Sequence, residues 1–220
     1  MDRFTLSSRL SRIEEEIPKL KNTISAMKIT NTGVYGKNYE ELSLDAALRA
    51  ERIACSLRNL IYATNLINKS KLMDAVSKEH GIEISHSNDR VVITLPGLLP
   101  KRTKRTNTTF LTDPLHASLE SYVKEHTLPH FTDCVVCFNH IFDENLSTRR
   151  IRDYDNLECK QILDTVAGFV MTDDGGLFCD AYHTTKLSDR DCTMLTIMDK
   201  SSFTSWLNDT ENRSKTMSDF

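Results

Sequence analysis

The sequence predicts an α/β (α+β) protein: an all-helical unit over residues 1–80, a domain of helices on a mixed sheet over 81–207, and a polar tail over 208–220. Three features predict it. Apolar residues recur at helical spacing through the first part, the pattern turns to alternation just after Gly81, and strand-like and helix-like segments then follow in the order β, α, β, α, β, β.

Leu6, Leu10, Ile13, Ile17, Leu20 and Ile24 stand three and four apart and predict a first helix from Thr5 to Met27, with a kink or break expected at Pro18. A loop is expected over Gly33–Asn38. A second helix is expected from Ser43, which suits an N-cap, and SKLMDAVSKEHG reads as a third that stops at Gly81. Ile82–Ile84 and Arg90–Leu95 alternate and are rich in β-branched residues, so they read as strands. Pro96-Gly97 and Pro100 end the second of these and lead into the basic run KRTKR. A helix over Asp113–His126 and a strand over Cys134–Phe142 follow, then a helix over Leu157–Phe169 and strands over Leu177–His183 and Cys192–Met198.

Composition narrows the function classes. No run approaches the ~18–20 apolar residues that cross a bilayer, and the N-terminal residues lack a signal-peptide core, so a cytoplasmic protein without a membrane segment is expected. The six cysteines do not form a dense framework and read as reduced core thiols. Cys134-x-x-Cys137 resembles half a zinc site, but on a strand its two thiols face opposite sides. Residues 1–80 carry 13 Lys and Arg against 10 Asp and Glu, leaving −6 for the rest of a chain whose net charge is −3. That acidic remainder still holds two basic clusters, Lys101-Arg102-Lys104-Arg105 and Arg149-Arg150-Arg152, of the kind that hold phosphates.

The second cluster opens the segment RRIRDYDNLECKQILDTVAGFVMTDD. In an extended chain Asp153 and Asp155 project from one face while Tyr154 turns away, an arrangement that suits a hard divalent cation. Asp174 completes the set only if the chain doubles back after a helix ~20 Å long. Spacing alone favours ordinary roles: Asp155 or Asn156 as a helix cap, Asp173-Asp174-Gly175-Gly176 as a turn, Arg152 and Asp153 as a surface pair. His140 and His183, on separate strands, are either packed residues or neighbours of the carboxylates.

The whole string, Arg-Arg-x-Arg-Asp-x-Asp-Asn-Leu followed by Lys160, Asp164 and Asp173-Asp174, resembles the signature of RusA-like Holliday junction resolvases. The earlier ITLPGLLPK resembles that family's first strand and proline-containing loop, and the likeness spans residues 82–200. It implies a metal-dependent endodeoxyribonuclease in which Asp153, Asp155 and Asp174 bind Mg²⁺, with Mn²⁺ as a substitute, and Lys160 meets the scissile phosphate. It further implies a homodimer acting on branched DNA at four-way junctions, in recombination or repair. Lys101, Arg102, Lys104, Arg105, Arg149, Arg150 and Arg152 would grip the DNA backbone. Here Lys160 follows Asp155 by five residues, where the family pattern has four. Residues 1–80 lie outside the likeness and are expected to dimerise or to bind a protein partner. The rival expectation is a non-cutting DNA- or protein-binding protein on the same fold, acting through that helical unit.

Overall fold

The computed structural model describes residues 3–64, 69–102 and 108–209. The chain forms two compact units, Met1–Lys71 and Leu72–Phe220.

The first unit is a helical hairpin of α1 (Arg3–Ile29) and α2 (Gly36–Thr64). The helices are tied by Glu16, which accepts from Arg49 at 3.1 Å and Arg52 at 3.4 Å, and by Thr23, which donates to Asp45 at 2.9 Å. α1 runs unbroken through Pro18. Pro18 and Glu14, whose carbonyl the proline leaves without its usual donor, are both exposed, so the freed carbonyl is open to water. α2 starts seven residues ahead of Ser43, whose hydroxyl donates to the Tyr39 carbonyl inside the helix, so Ser43 is not a cap. Ile13 and Leu60 are buried, while Leu10, Ile17, Ile24, Leu44 and Leu48 remain exposed.

The second unit takes in most of α3 (Lys69–His80), which the sequence reading grouped with the helical part. Gly81 ends α3 with φ +73, a left-handed conformation that favours glycine. The sheet has the order β1-β2-β5-β3-β4, built from Glu83–His86, Arg90–Leu95, Cys134–Asp143, Cys179–Ser188 and Cys192–Asp199 numbered in chain order. Only the β3–β4 pair is parallel, so the sheet is mixed as expected.

α4 (Thr109–Glu125) and α5 (Lys160–Val170) supply Leu115, Leu119, Ile162, Val166 and Val170 to one face, where they pack with Val91, Ile93, Phe138 and Leu195. The other face carries Val135, Cys137, Met198 and Trp206, the last from a helical stretch over 203–209. Cys134 lies in the first cluster and Cys137 in the second, so the two thiols do face opposite sides. All six cysteines are unpaired. α5 begins three residues later than expected because Leu157 is taken into a β-bridge with Lys101. Among the described residues no helix is long and apolar enough to cross a membrane.

Candidate functional site

The segment from Arg149 to Asp174 crosses from β3 to β4, and the stretch after β2 fixes its course. Besides the Lys101–Leu157 bridge, the Arg102 amide donates to the Asn156 carbonyl at 2.8 Å and the Glu158 amide to the Pro100 carbonyl at 2.9 Å. The first half of the basic run is thereby stitched beside the aspartates. Tyr154–Asn156 is a 3₁₀ turn, closed by the Asn156 amide on the Asp153 carbonyl, rather than the extended segment expected. A threefold repeat does not align residues two apart. Asp153 and Asp155 are both exposed, and neither makes a side-chain hydrogen bond or ion pair among the described residues. Glu158, not Asp155 or Asn156, reaches the first turn of α5, accepting from the Gln161 amide at 3.4 Å.

Lys160 is the first residue of α5. Its Nζ lies 2.9 Å from Asp164 Oδ1 and 3.6 Å from Asp174 Oδ2. The chain therefore does double back after the helix, bringing Asp174 to the side of α5 that bears Lys160. A hydrogen bond with the Asp164 carboxyl, and then the Lys160 charge, hold the Asp174 carboxyl below the usual range. Asp164 and then Asp174 raise Lys160. The return is made by a turn in which Asp173 Oδ1 accepts from the Gly175 amide at 2.6 Å. A Cβ on Gly175 would stand 2.7 Å from that oxygen, so a side chain there would make the Asp173 carboxylate shift. Asp173 thus forms the turn and Asp174 is the one presented to Lys160.

The basic residues divide. Arg149 and Arg152 are exposed and form no ion pair among the described residues. Arg150 is committed: its two terminal nitrogens bind Asp191 at 2.7 and 2.9 Å, and it lies 5.8 Å over the Phe142 ring. It braces the Ser147–Ile151 turn against the residue ahead of β5. Pro100, His140, Phe142 and the three arginines line a cavity of about 460 Å³. Lys101 and Arg102 are exposed, and Lys104 and Arg105 lie outside the described residues.

Behind the 3₁₀ turn lies a group of different chemistry. His140 on β3 and His183 on β4 approach each other, with His140 Nε2 and His183 Nδ1 3.2 Å apart. Their rings are within 5° of parallel, Phe138 stacks on His183 at 5.1 Å, and Tyr154 stacks on both histidines from the solvent side. The parallel register opposes His183 to Phe138 and His140 to Thr185, which makes the histidines diagonal neighbours on one face. Cys159, one residue before α5, completes the set: a ligand atom from each of His140, Cys159 and His183 falls within 4.8 Å of the others. Among the described residues this is the group of three or more potential ligands gathered so closely; Asp153, Asp155 and Asp174 are not. Burial, and then His183, push His140 down to about 4, and burial lowers His183 as well. Burial pushes the Cys159 thiol up to about 12.

Sequence reasoning singled out each histidine alone and passed over Cys159. The signal was present once β3 and β4 are paired in parallel with the connecting helix on the face that carries His140. Comparison with curated proteins finds no match. Among solved structures the chain is similar to the cell wall anchor of the T6SS from Pseudomonas aeruginosa, at 12% identity, covering 59% of this chain and 94% of that one. The TM-score of that likeness, 0.34, is too low to carry an argument. A family model matches residues 2–220, and the chain belongs to that family, DUF6100, a family of unknown function.

Proposed function

We propose that the protein is a metal-dependent endonuclease that hydrolyses DNA phosphodiesters at four-way junctions, in the manner of the RusA-like resolvases its Arg149–Asp174 segment resembles. The observation that carries this reading is the return of Asp174 to Lys160, at 3.6 Å, across a helix that would otherwise separate them. A phosphate-cutting site needs carboxylates and a lysine together. The donor set suits magnesium in kind, since Asp153, Asp155 and Asp174 offer hard oxygens and the first two have no side-chain partner among the described residues, although the three are not gathered within 4.8 Å of one another. Bound there, Mg²⁺ would lower the pKa of a water and stabilise the charge that builds on the phosphate.

The chain's own residues do the rest. Lys160 presents a positive charge at the helix start, and Arg149, Arg152, Lys101 and Arg102 flank the aspartates with exposed cations that suit a phosphate backbone. Such contacts grip without reading bases. A homodimer would present two such sites to two opposed strands, matching the two-fold symmetry of a junction. Leu10, Ile17 and Ile24, exposed at a spacing of seven along α1, suit the first unit to that self-association. Action on chromosomal or mobile DNA would place the protein in the cytoplasm.

The test is cleavage of a synthetic four-way junction against linear duplex of the same sequence, with Mg²⁺. Preferential junction cleavage that disappears in Asp153→Asn supports the reading. Tight junction binding with no cutting in Mg²⁺ or Mn²⁺ would replace it with a non-cutting binding protein.

A further inference from the structure

We infer that His140, Cys159 and His183 form a zinc site, separate from the carboxylates, with two imidazole nitrogens and one thiolate as its protein ligands. Nitrogen and sulfur donors of this kind select zinc over magnesium, which takes oxygen.

The geometry supports it on two counts. First, Zn–N bonds of ~2.0–2.1 Å at tetrahedral angles set two ligand nitrogens ~3.3 Å apart, and here His140 Nε2 and His183 Nδ1 are 3.2 Å apart. Second, the three ligands come from β3, β4 and the residue ahead of α5, and the histidine rings are already held in place by Phe138 and Tyr154, so little ordering remains for a metal to impose.

Binding balances simply: neutral imidazoles coordinate without change, and the Cys159 thiol releases one proton to solvent as the Zn–S bond forms. Three protein ligands leave the fourth position to water, as in open zinc sites. Because Cys159 directly precedes Lys160, the ion would also anchor the start of α5.

Cobalt(II), which occupies tetrahedral zinc sites and colours them, is the probe. Titrating the full chain after chelator treatment should give one Co²⁺ per chain with a thiolate-to-metal charge-transfer band, and Zn²⁺ should bleach it. Cys159→Ser should remove that band, and His183→Gln should weaken binding at least ~10-fold. Circular dichroism would establish that each variant is folded; if Cys159→Ser is not, the His183→Gln affinity decides. A folded wild-type chain that takes up no Co²⁺ would overturn the site and leave a packed, hydrogen-bonded histidine pair. So would a charge-transfer band that survives in Cys159→Ser.

Discussion

Two donor sets lie on opposite sides of one short stretch of chain. On the solvent side are Asp153, Asp155 and the Lys160–Asp164–Asp174 group, all exposed or half-buried. On the core side are His140, Cys159 and His183, with Tyr154 laid over the histidines. The separation follows from local geometry: the 3₁₀ turn sends Tyr154 inward between two outward aspartates, and the start of α5 sends Cys159 inward and Lys160 outward. Hard oxygens therefore stay hydrated, where a magnesium ion keeps most of its water, while the nitrogen and sulfur donors are buried or half-buried. The difference teaches that one segment can carry two chemistries if its side chains alternate between water and core.

The contrast is open to breaking by mutation. Phe138 is buried beneath the histidines, so Phe138→Ala should cost about 3–5 kcal/mol of stability, whereas Asp153→Ala, at an exposed site, should stay within ~0.5 kcal/mol; chemical denaturation measures both. If the two losses were equal, the division into core-side and solvent-side sets would fail. Asp155→Asn should lower junction cleavage on the order of 100-fold while leaving the junction affinity unchanged, as read by single-turnover cleavage and gel-shift titration.

Smaller effects sharpen the same division. Asp191 is held below its usual 3.8 by its hydrogen bonds from Arg150 and then by the Asp143 amide. A depressed carboxylate contributes stability that is complete above the unfolded value and lost as pH falls from 3.8 through the lower folded value, because the unfolded chain binds the proton first. Asp191→Asn should cost about 1–2 kcal/mol at neutral pH and flatten that acid limb, a change visible in thermal melts across the window. Smallest of all, Arg152→Ala should weaken junction binding only a few-fold and reduce the salt slope by about 1. An unchanged salt slope would remove Arg152 from the DNA surface.

The fold was legible where periodicity is strong. Arg90–Leu95 is rich in β-branched residues and is a strand at those same residues with alternating burial, and Leu115, Leu119, Ile162 and Val166 fall on the buried stripes of their helices. At Pro18 the helix is not broken, and the proline lies on its exposed side. Ser43 misled because a serine hydroxyl satisfies a carbonyl within a helix as readily as it caps one. The motif spacing singled out Asp174 and Lys160, and the fold brings those two together. It also suggested an extended Asp153–Asp155 pair, which backbone pairing with the Pro100–Arg102 stretch converts into a turn. The His140–Cys159–His183 group was hidden because its members are far apart in sequence and meet only through parallel pairing of β3 with β4.

The most direct measurement is Mg²⁺-dependent cleavage of a four-way junction by the Asp174→Asn chain beside the wild type, at matched junction occupancy. If the doubling-back of the chain exists to deliver a metal ligand to Lys160, the variant will bind the junction as tightly as the wild type and cut it on the order of 100-fold more slowly. Cutting at the wild-type rate would contradict the account and reduce Asp174 to an ion-pair partner of Lys160.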